Sequence, residues 1–207
     1  MTTRDLIILV PDKNTEYAIR GAVGRHSALG VWPLQATTLV EPGRDGGVRT
    51  RGPQVLTMQR RIYGHALLIL DHEGSGSDLS PTALEASLDR ELGVAWGDDA
   101  KAIVVHPEID VWMWGVDSHL REVLNWRLGA SPREWLQQQG FKFSPVGKPL
   151  RPKEALERLF EVSHLPRSSR TYEFLTRRLS LARCQDPAFV ALRITLQRWF
   201  PPLKHLS

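Results

Sequence analysis

Acidic residues follow three apolar segments of the sequence, each of which has the length and composition of a β-strand. They are Asp12 and Glu16 after Leu6–Val10, Asp71 and Glu73 after Ala66–Leu70, and Glu108 after the segment 101–105. The carboxyl ends of parallel strands share one edge of a sheet, where ligands bind. Carboxylates that converge there without matched cations repel one another unless a metal ion neutralises them. We therefore expect Asp71 and Glu73, two residues apart at a strand end, to bind Mg²⁺ or Mn²⁺.

A cation held by these carboxylates could activate water and hold a phosphodiester. Glu16 or Asp12 would then serve as a third ligand or as the catalytic base, and Glu108 would support them. The alternative is a structural role, because Asp and Glu also form turns and caps after strands. Glu16 and Glu108 in particular suit the N-termini of helices.

The net charge of +4 conceals two halves of opposite sign. Residues 1–110 contain 11 Lys and Arg against 15 Asp and Glu, whereas residues 111–207 contain 16 against 8. A basic half can bind a polyanion, although basic helical faces are often only solvated surface. The candidates for contact with nucleic acid or with a partner protein are Arg151, Lys153, Arg167, Arg170, Arg177 and Arg178, with Arg183 in the same basic cluster.

The elements that must position these residues alternate between strands and helices. We predict strands at 6–10, 34–40, 65–70 and 101–105, with helices after the first strand and at 54–62 and 80–92, and a long glycine- and arginine-rich loop at 41–53. This alternation predicts an α/β fold with a mainly parallel sheet flanked by helices. Helices are then predicted at 108–114, 118–128, 132–138, 153–161, 170–181 and 187–200. We therefore divide the chain into a core, 1–115, and a basic helical elaboration packed on it, 116–207.

Composition excludes several classes of protein. One cysteine, Cys184, excludes an internal disulfide framework and a cysteine-rich zinc site. No apolar run reaches the roughly 18 residues that span a membrane, so we expect a soluble, cytoplasmic protein without membrane contact.

Trp112 and Trp114 lie two residues apart, so a helix cannot bury both on one face. Either one is exposed for stacking or partner contact, or both pack in the core.

Short motifs give the chain a resemblance to a known family. They are Val10-Pro11-Asp12-Lys13-Asn14-Thr15-Glu16, Leu70-Asp71-His72-Glu73 and His106-Pro107-Glu108-Ile109-Asp110-Val111-Trp112. Over most of its length the chain resembles the Toprim-like proteins of the bacterial family DUF4276, related in fold to the Toprim part of OLD-type nucleases. The resemblance implies a Toprim-like sheet, a later acidic pair that holds Mg²⁺, and a place in anti-phage defence. The family's glutamate directly after strand one, implied to serve acid–base chemistry, is replaced by Pro11.

Two functions follow from these observations. The first is a component of a bacterial anti-phage defence system that cleaves DNA or RNA phosphodiesters with Mg²⁺ or Mn²⁺. The second is a non-catalytic scaffold or sensor that binds a defence-system ATPase, methyltransferase or nuclease. Self-association is compatible with either. A general nucleotide-binding α/β protein is the least favoured reading, because no glycine-rich phosphate-binding motif occurs.

Overall fold

A parallel sheet of four strands in the order β2-β1-β3-β4 forms the centre of the molecule. The structure is a computed structural model that describes residues 4–114, 117–178 and 184–202. The strands are β1 (Arg4–Val10), β2 (Ala36–Val40), β3 (Tyr63–Asp71) and β4 (Ala100–Val105). All three strand pairs are parallel, which confirms the predicted α/β class.

Helices cover both faces of the sheet. In the described part of the chain they are α1 (Lys13–Val23), α2 (His26–Leu29), α3 (Arg44–Thr57), α4 (Pro81–Trp96), α5 (Asp117–Val123), α6 (Pro132–Gln138), α7 (Pro152–Val162), α8 (Ser169–Arg178) and α9 (Pro187–Trp199). The segment predicted as a helix at 108–114 is a 3₁₀ helix, Ile109–Met113. The predicted end of α8 at residue 181 and the candidate Arg183 lie outside the described residues. No helix among those described has the length and apolar character needed to cross a bilayer.

The central strand β1 separates two hydrophobic cores. Its residues Leu6 to Val10 are each at most 1% exposed, as expected for a strand covered on both faces. Ile7 and Leu9 pack with α3 and α4, whereas Leu6 and Ile8 pack in a larger core with α1 and the C-terminal helices. The larger core thus joins residues on both sides of the predicted division, whose boundary residues 115 and 116 lie outside the described ranges.

The closest helix contact in this larger core is between α1 and α8. A Cβ at Gly21 would lie 2.8 Å from the carbonyl oxygen of Glu173, so a larger residue would force the two helices apart. At their N-termini, Ser169 Oγ donates a hydrogen bond of 2.9 Å to Asn14 Oδ1. This packing brings the basic start of α8 to the edge of the sheet at which β1 ends.

The predicted loop at 41–53 was wrong, because α3 occupies most of it. The glycines that suggested a loop lower intrinsic helix propensity, but they let the helix backbone approach the sheet. A Cβ at Gly52 would lie 2.7 Å from Leu68 Cδ1. Burial of Val48 and Leu56 then stabilises the helix through tertiary packing rather than through propensity.

Trp112 and Trp114 are both buried, at 5% and 4% exposure, so neither is the exposed stacking residue that their spacing allowed. The indole of Trp112 donates to Asp186 Oδ1 at 3.0 Å. Asp186 also caps α9 by accepting from Ala188 N at 3.2 Å, and it pairs with Lys148 at 2.7 Å. One buried carboxylate therefore links three separate segments of the C-terminal half.

We predict that Asp186→Ala lowers the free energy of unfolding by about 3 kcal/mol, because it removes a cap and leaves an indole N–H and an ammonium group without their acceptor. Asp186→Asn keeps the acceptor oxygen and should cost about 1 kcal/mol. Urea unfolding followed by circular dichroism measures both. Equal losses in the two variants would contradict this account of the carboxylate.

Candidate active site at the carboxyl edge of the sheet

Asp71 lies at the carboxyl end of the buried strand β3 and connects two neighbouring segments. Its Oδ1 accepts a hydrogen bond from the backbone N–H of Ile109 at 2.8 Å. Its own backbone N–H donates to Asp45 Oδ1 at 2.7 Å. The backbone that follows β4 therefore fixes the carboxylate of Asp71, and the first turn of α3 fixes its main chain.

Asp45 is a site residue that the sequence did not reveal, because it lay in the predicted loop. Burial raises the pKa of its carboxyl, and the charge of Asp12 raises it further. The turn after β3 also comes very close to it, since a Cβ at Gly74 would lie 2.8 Å from Asp45 Cγ. A predicted helix beginning at residue 44 would have placed Asp45 at the same edge of the sheet. The glycines of α3 made this segment look like a loop instead.

Two more carboxylates come from the segment after β4. Burial raises the pKa of Glu108 to about 7, with contributions from Asp110 and Glu73. Burial also raises the pKa of Asp110, whose Oδ1 accepts a hydrogen bond of 2.8 Å from the hydroxyl of Tyr172. Asp110 follows the fourth predicted strand but was not among the predicted catalytic or metal-binding residues.

These groups act on Asp71 together. Burial raises the pKa of its carboxyl well above the usual range, and the charges of Asp45, Asp110 and Glu108 raise it further. Carboxylates from α3, from β3 and from the segment after β4 therefore lie close together at the predicted edge of the sheet. A cluster of this kind is stable only when some of its carboxyls are protonated or when a cation is bound.

The remaining predicted catalytic residues have other partners. Glu16 is buried on α1 and forms ion pairs with Lys13 at 2.7 Å and with Arg20 at 2.6 Å. Asp12 caps α1 by accepting from the Thr15 backbone N–H at 2.8 Å. The geometry therefore engages Glu16 within its own helix, whereas Asp12 lies near enough to raise the pKa of Asp45.

A cleft of about 570 Å³ opens beside these carboxylates, between Glu73 and Glu108 on one wall and residues 150–154 on the other. Lys153 Nζ lies 3.5 Å from Glu108 Oε2 across it. Burial lowers the pKa of Lys153, but Glu108 and Asp110 outweigh this and leave it raised. The N-terminus of α7, with Arg151 and Lys153, thus provides positive charge directly opposite the acidic wall.

The basic residues predicted to contact phosphate divide into two groups. Arg151 and Lys153 line the cleft, Arg170 starts α8 beside the Ser169–Asn14 contact, and Arg167 pairs with Glu157 at 2.6 Å. Arg177 and Arg178 lie at the other end of α8, about 10 Å further along the helix axis. There Arg177 pairs with Glu173 at 2.6 Å and Arg178 stacks on Phe174 at 3.6 Å.

The carboxylates fit a divalent cation by charge and by donor type, since Mg²⁺ prefers oxygen ligands. Among the residues that the structure describes, no three His, Cys, Asp or Glu side chains are grouped closely enough to hold an ion by themselves. Mg²⁺ is commonly held by one or two carboxylates, with waters and substrate phosphates completing its shell. Asp71 with Asp45 or Glu108 would meet that smaller requirement.

We predict that Asp71→Asn makes the protein more stable at pH 8 without divalent cations. The raised pKa of Asp71 means that the folded state keeps a proton that the unfolded state has lost above about pH 4. This contribution to stability is complete below that pH and disappears as pH rises through the folded-state value. The asparagine cannot ionise and keeps the Oδ1 that accepts from Ile109.

The free energy of unfolding of Asp71→Asn should exceed that of the wild type by about 1 kcal/mol or more at pH 8 and should change less between pH 5 and 8. Urea unfolding with a chelator present measures both curves. Glu91→Gln, at an exposed position on α4, is the control and should follow the wild type. A less stable Asp71→Asn at pH 8 would show that the carboxylate is not repelled.

Comparisons with known proteins leave the family of this chain open. No family model matches it, no curated protein matches it, and no solved structure matches it. The similarity to the Toprim-like family therefore rests on the short motifs quoted above, and the functions that it implies are treated below as proposals.

Proposed function

We propose that this protein is a Toprim-like, Mg²⁺- or Mn²⁺-dependent component of a bacterial anti-phage defence system that cleaves phosphodiesters in nucleic acid. The observation that carries the proposal is the gathering of Asp45, Glu108 and Asp110 around the buried carboxylate of Asp71, at the edge where parallel sheets bind ligands. A fold spends stability on such repulsion mainly where a function requires it.

Asp71 would be the central cation ligand, because one of its oxygens is fixed by Ile109 N–H and it lies among the other carboxylates. Asp45 would supply a second oxygen, and the exposed Glu73 would contact the ion through one of its water ligands. A bound Mg²⁺ or Mn²⁺ would polarise the phosphoryl group and lower the pKa of a water molecule. The carboxylates themselves would position that cation and hold it against the sheet.

Glu108 is the best candidate for proton transfer. Its pKa of about 7 lies near the operating pH of most enzymes, which is the condition for effective general acid–base catalysis. It also lines the cleft, whereas Glu16 is held by Lys13 and Arg20. Glu108 would then take the role that the family's missing glutamate leaves open at Pro11.

The cations around the cleft would bind the phosphate backbone. Arg151 and Lys153 stand at the N-terminus of α7 and Arg170 at that of α8, where the helix dipole adds positive potential. Phosphate groups held there would lie beside the acidic wall, within reach of a cation bound to Asp71.

A cleavage assay tests the catalytic part of this proposal. Wild-type protein is incubated with single- and double-stranded DNA and RNA, with Mg²⁺ or Mn²⁺, and products are resolved on gels. We expect Asp71→Asn and Glu108→Gln each to reduce cleavage by about 100-fold or more. Asp99→Asn is the matched control, since Asp99 precedes β4 at the opposite edge of the sheet and pairs with Arg60. Equal cleavage by the wild type and by Asp71→Asn would refute the catalytic role of this site.

Nucleic-acid binding can be tested separately from cleavage. Lys153→Ala and Arg170→Ala should each weaken binding of a labelled oligonucleotide and reduce the salt dependence by about one phosphate contact. Arg177→Ala, seven residues along the same helix, is the control and should bind as the wild type does. Fluorescence anisotropy over a range of salt concentrations gives both quantities. Equal losses of affinity in all three variants would mean that the basic residues attract nucleic acid only through their overall charge, with no defined binding site at the cleft.

A non-catalytic role is the second candidate, and a specific observation favours it. Glu16 and Asp12, the residues nearest to the missing glutamate, are both engaged in helix α1, by ion pairs and by capping. In that case the protein would act as a scaffold or sensor for a defence-system ATPase, methyltransferase or nuclease. Co-purification with the products of neighbouring genes, together with absent cleavage and absent cation binding, would favour this role over the first.

A further inference from the structure

The two edge strands of the sheet differ in how their outer backbone groups are satisfied. At β4, the backbone N–H of Ala102 donates to Asp89 Oδ1 at 2.8 Å, and that of Val104 donates to Glu85 Oε2 at 3.2 Å. Lys101 neutralises both of these carboxylates. Side chains of α4 therefore close this edge to a further strand.

At β2, the other edge strand, the backbone groups on the outer side are unpaired in the part of the chain that the structure describes. The carbonyl of Gln35 accepts from Leu6 N at 3.3 Å, and Glu41 N donates to the carbonyl of Val10 at 2.9 Å, so these two residues face β1. Because direction alternates along a strand, Ala36, Thr38 and Val40 turn their N–H and C=O groups outward. Within the described ranges these groups have no hydrogen-bond partner.

This open edge lacks the usual protection against pairing. Natural edge strands are commonly blocked by charged residues, proline, a bulge or a covering loop. Ala36–Val40 is ATTLV, which contains no charge and no proline. Beside it, a groove of about 440 Å³ runs between β2 and α1, with Ile8, Ile19 and Leu34 among its lining residues.

We propose that β2 pairs antiparallel with β2 of a second copy of this chain, so that a two-fold dimer joins the two sheets into one. Self-pairing suits this strand because its uncharged sequence brings no like charges together. A two-fold contact also closes on itself, whereas parallel pairing of identical edges does not. The second copy is therefore the occupant that the charge and the geometry of the edge fit.

The register follows from which residues point outward. With Thr38 opposite its own copy, Ala36 faces Val40 of the second copy, and all three outward residues of each strand pair. This gives about six hydrogen bonds, whereas a shift by one paired position gives about four. In this register Val40 of the second copy also lies on the same face as Ile8, where it helps to cover the groove.

Sedimentation velocity over a wide range of protein concentration tests the dimer. Wild-type protein should sediment with twice the mass of one chain. Thr38→Pro removes the central outward N–H, which an edge strand tolerates in the monomer, and Thr38→Lys places two charges opposite each other. Each variant should raise the dissociation constant about tenfold or more. Thr50→Lys, which adds the same charge at an exposed position on α3, should remain dimeric.

Hydrogen exchange identifies the edge itself. The amides of Ala36, Thr38 and Val40 should be protected in the wild-type dimer and should exchange rapidly in Thr38→Lys, with the other strands unchanged in both. Circular dichroism verifies that the variants are folded, and Thr38→Lys carries the test if Thr38→Pro does not fold. A wild type that is monomeric at every concentration, or a dimer that survives Thr38→Lys, would overturn the proposal.

Discussion

The repulsion among carboxylates at the end of β3 is the constraint around which this structure is arranged. Asp71 follows Ala66–Leu70, the fully buried part of β3, so its main-chain position is fixed by the sheet. Its N–H binds Asp45 and its Oδ1 binds Ile109 N–H, and these contacts hold α3 and the segment after β4 beside it. The same contacts bury these carboxyls, which raises the pKa of Asp45, Asp71 and Asp110. At Asp71 the charges of Asp45, Asp110 and Glu108 raise the pKa further.

The C-terminal helices supply charge of the opposite sign without removing this repulsion. Close packing at Gly21 holds α8 parallel to α1, and α7 places Lys153 3.5 Å from Glu108. Lys153 forms an ion pair with Glu108, one of the four carboxylates. The four carboxylates therefore keep a net negative charge when they are ionised. A divalent cation would provide the missing positive charge, and the phosphate groups of a nucleic acid would then lie between that cation and the basic helix N-termini.

The sequence predicted the parts of this arrangement that depend on local pattern. The apolar runs identified all four strands, and the acidic residues after them identified the edge that carries Asp71 and Glu108. Asp45 was missed because α3 owes its helical form to packing of Gly52 and Val48 on the sheet, which no local propensity records. The ion pairs of Glu16 were equally hidden, since an acidic residue after a strand has the same local pattern whether it faces a ligand or its own helix. The burial of both Trp112 and Trp114 depended on a 3₁₀ helix and on Asp186, 74 residues away from Trp112.

The most direct test of the central claim is a titration of Mn²⁺ into the protein, with free Mn²⁺ measured by electron paramagnetic resonance. Because protons compete with the cation for carboxyls of raised pKa, wild-type protein should bind Mn²⁺ about tenfold more tightly at pH 8 than at pH 6. Excess Mg²⁺ should displace the bound ion, and Asp71→Asn should abolish binding. An absence of bound Mn²⁺ at pH 8, or equal binding by the wild type and Asp71→Asn, would contradict the account.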